Sequence, residues 1–202
     1  MAAMAEPIIL ASASPARARL LDAAGVPFTI QPAAIDEERI KRASREAGSS
    51  AMTCARALAV EKARDVSARH PEALVIGADQ ILVVGDEWFD KPTNRAEARA
   101  QLLSLRGRAH VLATAACVVR GDKQLWHATC APEMTMRSFS EAFLDRYIAA
   151  EGDALLGSVG AYRLEGLGVQ LFERMIGDHF AVLGLPLLEL LDFLRSRGVL
   201  LA

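Results

Sequence analysis

Short apolar runs of strand length alternate along this chain with segments whose apolar residues recur at helical spacing, and that alternation leaves few ways to fold. "PIILA" at 7–11 suits a buried strand and passes through Ser12-Ala13-Ser14-Pro15 into a helix, with Ser14 as its cap, Pro15 in its first turn and Gly25 as its stop. "PFTIQPA" reads as a second strand, and the polar segment 35–49 as a loop or frayed connection. Residues 50–69 have helical spacing, and His70-Pro71 ends the run.

"ALVIGADQILVVGDEWF" reads as a buried strand, an interruption at Asp79-Gln80 and a second strand turning at Gly85-Asp86. "NRAEARAQLLSL" predicts a helix capped by Asn94, with Glu97 three positions on as in a capping box. Stretches 109–120 and 125–137 flank Gly121-Asp122-Lys123 and read as a long hairpin. "SEAFLDRYIAAEG" predicts a helix from Ser140 to Gly152, and "PLLELLDFLRSRG" a last one between Pro186 and Gly198. No repeat or low-complexity linker interrupts the alternation, so the class is α/β.

At 202 residues the chain is long enough for one generous domain or two small lobes. A formal net charge of −2 gives no footprint for general nucleic-acid binding, so any phosphate site has to be local. The basic run Arg39 to Arg45 is bounded by Glu38 and Glu46 and reads as solvated surface or as a mobile cover. Cys54, Cys117 and Cys130 are too scattered for a disulfide framework or a zinc site. "MAAMAEPIIL" lacks the pattern of a secretory signal, and Glu189, Asp192 and Arg195 break the apolar C-terminal stretch. The expectation is a reduced, cytoplasmic protein with no membrane or nucleic-acid partner.

Ser12 to Arg17 has the physics of an anion site: small residues allow close approach, and the first turn of a helix presents unpaired N–H groups and a positive dipole end. A plain helix cap accounts for Ser14 and Pro15 without Ser12 or Arg17. Asp79 follows an apolar run at what reads as the carboxyl end of a buried strand, where ligands collect in open α/β sheets; a turn-forming aspartate is the competing reading. Lys91 stands just before a predicted helix. In Asp36-Glu37-Glu38 one or two carboxylates can serve a magnesium-type ion, or the three simply face water. Lys62 lies on a helix whose other face is alanine and leucine, where most lysines are surface residues. No Walker loop, strand-linked GxGxxG, HExxH or G-x-S-x-G is present. What remains is phosphate chemistry by positioning and charge.

In their shared order, these segments resemble the Maf family of nucleoside triphosphate pyrophosphatases over nearly the whole chain. "LASASPARARLL" is similar to the S-x-S-P-R-R-x-x-L-L signature, "DEE" to the acidic element and "ALAVEKA" to the lysine helix. "IGADQ" with "DKP" resembles the I-x-A/S-D-T/Q and G-K-P elements, and "GAYRLEGLG", "LFERMIGD" and "VLGLPL" resemble the C-terminal signatures.

The resemblance implies an elongated mixed sheet flanked by helices, with a substrate cleft between two lobes of a single domain spanning 1–202. It implies metal-assisted hydrolysis of a nucleoside triphosphate to the monophosphate and pyrophosphate, with magnesium, manganese or cobalt. By the same carry-over Asp79 prepares water for attack on the α-phosphorus and Glu37 helps hold the metal. Ser12, Arg17, Lys62 and Lys91 bind the phosphate chain, and a homodimer is expected. Ala16 stands where the signature has its first arginine, and Asp90 where G-K-P has glycine.

Members that prefer dTTP or UTP resemble D-T with Q-G, and those that prefer 7-methyl-GTP resemble D-Q with E-G. Gln80 and Glu165-Gly166 lean this chain to the second group, while Ala16 matches neither. A 7-methylguanine ring is positively charged and presents N–H donors, which suits the acceptor-only carboxylate of Glu165. The competing readings are a dTTP/UTP pyrophosphatase, a phosphatase releasing inorganic phosphate, and a nucleotide-binding regulator of cell division or septum formation with little turnover.

Overall fold

The structure is a computed structural model and describes residues 6–201. Residues 1–5 and 202 lie outside the described residues, and with them most of the N-terminal stretch read as lacking a signal and both ends of the 1–202 domain. The fold is a mixed α/β sheet flanked by helices, with strand order β2 (Thr29–Ile30), β1 (Ile8–Leu10), β3 (Leu74–Val84), β5 (Ala109–Arg120), β7 (Glu133–Met136), β8 (Phe172–Ile176); β4 (Glu87–Phe89) pairs with β3 and β6 (Lys123–Cys130) with β5. Among the described residues no helix is long and apolar enough to cross a membrane.

The described residues divide into two compact units, the first lying within 1–80, 114–130 and 178–202, the second 81–113 and 131–177. In the first, β1 (Ile8–Leu10) pairs in parallel with β2 (Thr29–Ile30) and with the start of β3 (Leu74–Val84). Helix α1 (Pro15–Ala23) follows β1, with Ser14 as its cap and Pro15 in its first turn. Its Leu21 joins Leu10, Leu74, Ile76, Leu190 and Leu194 in a core, each such side chain contributing roughly 2 kcal/mol by leaving water. Leu190 and Leu194 come from α7 (Leu187–Ser196), which follows the short α6 (His179–Val182).

Segment 35–49 is not a loop. It forms helix α2 (Glu37–Glu46), whose inward stripe of Glu37, Ile40, Lys41 and Ser44 is only half-buried and mostly polar, so no apolar period announces it. Local chemistry accounts for it: Asp36 caps the Arg39 N–H, Glu37 and Glu38 sit at the positive dipole end, and Lys41 pairs with Glu38 at 3.1 Å. Helix α3 (Ala51–Ser67) starts at Ser50 as expected, and its buried face includes Cys54, Ala55, Leu58, Ala59, Lys62 and Ala63.

Strand β3 is also unbroken at Asp79-Gln80, so Asp79 lies within a strand and not at its carboxyl end. In the second unit β3 turns back antiparallel through β4 (Glu87–Phe89), and α4 (Arg95–Leu105) starts at the Asn94 cap. Strand β5 (Ala109–Arg120) runs through both units; its far half makes a hairpin with β6 (Lys123–Cys130) in the first unit. The expected second arm stops at 130. Residues beyond it form a separate strand, β7 (Glu133–Met136), between the near half of β5 and the unforeseen β8 (Phe172–Ile176). Helix α5 (Glu141–Glu151) runs between the Ser140 cap and Gly152 as expected, and the glycine-rich tract after it makes short 3-10 turns.

Candidate active site

Strand β3 and helix α3 meet at a point where no side chain intervenes. A Cβ on Gly77 would lie 2.1 Å from the Ala59 carbonyl oxygen and 2.8 Å from the Ala63 Cβ, so only glycine allows this approach. Two residues along β3 and one turn along α3, the approach brings Asp79 and Lys62 together. The Lys62 ammonium lies 2.6 Å from Asp79 Oδ1 and 2.9 Å from Glu37 Oε1 of α2. Lys62 is therefore not the surface residue its type suggests, since it and Asp79 are only 8% and 6% exposed. Isolated in such a place either charge would be prohibitive; paired, each offsets the other's cost of burial.

The three consecutive acids divide their work. Asp36 caps α2, Glu37 turns to Lys62, and Glu38 pairs with Lys41. Only Glu37 reaches the cluster.

The turn between β1 and α1 supplies a second cation. Arg17 is 8% exposed, donates from Nε to the Gly184 carbonyl at 2.8 Å and from Nη1 to Ser12 Oγ at 3.1 Å. Ser12 Oγ also accepts the Ser14 N–H at 3.2 Å, so with both lone pairs engaged its remaining capacity is its proton. Burial pushes the Arg17 pKa down, while the charges of Asp79 and Glu37 push it up. That coupling ties Arg17 to the Lys62 cluster electrostatically. Ala16, in the same first turn, is half-buried and contributes no polar group.

Gln80 projects from β3 immediately after Asp79. Its amide nitrogen donates to Thr114 Oγ1 at 2.8 Å and to the carbonyls of Ala181 at 2.9 Å and Val182 at 3.2 Å. Lys91 and Glu165 belong to the second unit. Lys91 is exposed on the segment between β4 and α4; Asp90 beside it accepts the Gln101 side-chain amide through its carbonyl. Glu165 is exposed in a turn where the Leu167 N–H donates to the Glu151 carboxylate at 3.0 Å; Arg163 donates to the same carboxylate at 3.0 Å.

The structure thus gathers Ser12, Arg17, Glu37, Lys62 and Asp79 in the first unit. Gly77, Thr114 and Gly184 were not singled out from the sequence. Gly184 has φ +99°, and a Cβ there would sit 3.1 Å from Arg17 Nε, so the "GLP" turn carries the one local signal of its role. The thiols offer no nucleophile. Burial pushes Cys117 up to about 12 and Cys130 up to about 11, and raises Cys54 as well.

Among the described residues no group of three or more His, Cys, Asp or Glu gathers as a metal cage. Two carboxylates converging on Lys62 are nevertheless the hard oxygen donors a magnesium-type ion takes when water and phosphate complete its shell. Asp79 and Glu37 fit that role.

Helices on an open mixed sheet, with buried charges where β3 meets α3, place the chain among α/β proteins whose site is carried by the sheet itself. The family described as Maf-like protein matches residues 7–197, and the chain belongs to it. It is 52% identical to a nucleoside triphosphate pyrophosphatase of Rhodospirillum rubrum over 202 residues, all of both chains. A protein of the same name from Paramagnetospirillum magneticum is 54% identical over 192 residues, 95% of this chain and 99% of its own. A 7-methyl-GTP pyrophosphatase of Rhizobium meliloti is 46% identical over 193 residues, 96% of this chain and 97% of its own.

Proposed function

We propose that this protein is a nucleoside triphosphate pyrophosphatase, hydrolysing its substrate to the monophosphate and pyrophosphate by attack of water on the α-phosphorus. The observation that carries the reading is the Lys62 ammonium held between Asp79 and Glu37, with the Arg17–Ser12 pair electrostatically coupled to it. Phosphoanhydride hydrolysis needs fixed positive charge for the phosphate oxygens and a carboxylate for the attacking water, with no covalent nucleophile.

In this mechanism Arg17, Lys62 and the Ser12 hydroxyl bind phosphate oxygens, with Lys91 assigned to the same chain by family resemblance. Asp79 accepts the proton of the attacking water as its oxygen bonds to the α-phosphorus. The bond from that phosphorus to the α–β bridging oxygen breaks, and pyrophosphate leaves with the electron pair. Asp79 and Glu37 would hold a divalent cation, magnesium, manganese or cobalt, which when bound supplies charge opposite the phosphate oxygens. Lys62 holds the two carboxylates close, and donates to the phosphate chain when substrate enters.

The preferred base is 7-methylguanine. Glu165 is the residue that supports this: an acceptor-only side chain complements a cationic ring carrying N–H donors. The name of the Rhizobium meliloti relative is consistent with the choice. Product analysis with magnesium over 7-methyl-GTP, GTP, dTTP, UTP and ATP tests both statements. The expected result is monophosphate plus pyrophosphate, fastest from 7-methyl-GTP. Fastest turnover of dTTP or UTP overturns the base assignment and keeps the chemistry; release of orthophosphate, or none of these products from the folded protein, overturns the chemistry.

A further inference from the structure

The geometry points to Gln80 as a positioning residue for the phosphate-binding Arg17, acting through the turn that joins α6 to α7. The inference rests on the phosphate role proposed for Arg17. Its starting point is the commitment of the Gln80 amide. That nitrogen carries two protons, and three acceptors surround it: Thr114 Oγ1 at 2.8 Å, the Ala181 carbonyl at 2.9 Å and the Val182 carbonyl at 3.2 Å. The orientation is fixed by chemistry, because turning the amide over would set its oxygen against two carbonyls. Both protons of the amide are therefore committed to these acceptors, whatever Oε1 accepts.

What the amide holds is the end of α6. Ala181 O also accepts the Thr114 hydroxyl at 3.0 Å and the Gly184 N–H at 3.0 Å, so three donors converge on one carbonyl. Asp178 fixes the other end of α6 by accepting the Phe180 and Ala181 N–H groups, each at 3.0 Å. The chain then passes through Gly184 at φ +99°, and the Gly184 carbonyl accepts Arg17 Nε at 2.8 Å. The path from Gln80 to Arg17 is therefore continuous: side-chain amide, Ala181 carbonyl, a three-residue turn, Gly184 carbonyl, guanidinium, Ser12. With Nε held by Gly184 and Nη1 by Ser12, the direction of the fork depends on where that turn sits. A residue at 80 lacking a donor at this reach releases Ala181 and Val182, and with them Gly184.

The test separates the base from the phosphate chain by using inorganic tripolyphosphate, which has no base, as an inhibitor of the best nucleotide substrate. Gln80→Met keeps the reach and removes the donor. The expected result is a loss of about tenfold in tripolyphosphate affinity, with a similar factor in kcat/KM for every nucleotide and their ranking unchanged. Added to Arg17→Ala, Gln80→Met produces no further loss. Thr114→Val, which removes one acceptor of Gln80 and one donor to Ala181, shifts tripolyphosphate affinity in the same direction and keeps the question open to test if the Gln80 variant fails to fold.

A changed ranking of nucleotides with tripolyphosphate affinity retained would make Gln80 a reader of the base and overturn the inference. Losses that add to those of Arg17→Ala would overturn it too. If Arg17→Ala itself leaves tripolyphosphate binding intact, the phosphate role of Arg17 is what fails; if Arg17→Ala abolishes binding and Gln80→Met does not, the inference alone fails.

Discussion

Replacing Gly77 by alanine tests whether the distance between β3 and α3 builds the charge cluster. The added Cβ would lie 2.1 Å from the Ala59 carbonyl oxygen, 2.8 Å from Ala63 Cβ and 3.0 Å from the Ala63 nitrogen. Two of these are backbone atoms of α3, which cannot rotate away as a side chain can. An unstrained carbon–oxygen contact is roughly 3.3 Å, so α3 has to withdraw by about 1 Å. The same withdrawal opens the contact between Lys62 and Asp79, now 2.6 Å, toward roughly 3.6 Å, which no longer qualifies as a hydrogen bond. Overpacking of this kind costs about 2 kcal/mol, or about 1 M in urea midpoint at a slope of ~2 kcal/mol/M. Misplacement by 1 Å in a catalytic arrangement reduces turnover by about a hundredfold. Urea unfolding and steady-state pyrophosphate release measure the two effects on one preparation. A Gly77→Ala protein with a midpoint within ~0.2 M of wild type and turnover within about twofold would refute the argument that close approach sets the cluster.

Three further outcomes follow from particular groups. Lys62→Met strands Asp79 beside Glu37 and costs about 3 kcal/mol of stability; adding Asp79→Leu restores part of that in urea titrations without restoring turnover, whereas strict additivity would contradict the pairing. Glu151→Gln weakens the hold on Arg163 and on the turn that carries Glu165, so it lowers discrimination between 7-methyl-GTP and GTP while leaving ATP turnover near wild type; unchanged discrimination speaks against Glu165 as the base-facing group. His110 is buried against Tyr162, with Nε2 2.8 Å from the tyrosine hydroxyl, and burial pushes its pKa down to about 4. Because the unfolded chain takes up the proton first, stability is complete above about pH 6.5 and falls by about 3 kcal/mol as pH drops to 4. Unfolding midpoints measured across that window should drop less steeply in His110→Gln, and parallel slopes would remove His110 as the cause.

The sequence disclosed what local chemistry determines. Ser14, Asn94 and Ser140 cap the helices they were read to cap, because the signal for a helix start is a short side chain beside its own backbone. Helix α2 escaped because its inward stripe of Glu37, Ile40, Lys41 and Ser44 is only half-buried and mostly polar, so no apolar period marks it. Asp79-Gln80 looked like a break in β3 because polar residues end most apolar runs; here Lys62 and the carbonyls of α6 satisfy both, and the strand continues. Strand β8 exists by pairing with β7 and is exposed along most of its length, so no alternation marks it. Within the site, Ser12, Arg17, Glu37, Lys62 and Asp79 were each visible as residue types, and it was the family resemblance, not local chemistry, that set them at one site. Gly184 lies 167 residues from Arg17, and Gly77 matters through what it lacks.

The central claim is that water attacks the α-phosphorus under the carboxylate of Asp79. Single-turnover hydrolysis in heavy-oxygen water, with mass analysis of both products, tests it most directly. The account predicts that the label appears in the nucleoside monophosphate and not in pyrophosphate, and that Asp79→Asn, still folded, reduces the rate by about a hundredfold or more with the label in the same product. Label in pyrophosphate or in orthophosphate, or an Asp79→Asn protein that turns over at the wild-type rate, would contradict it.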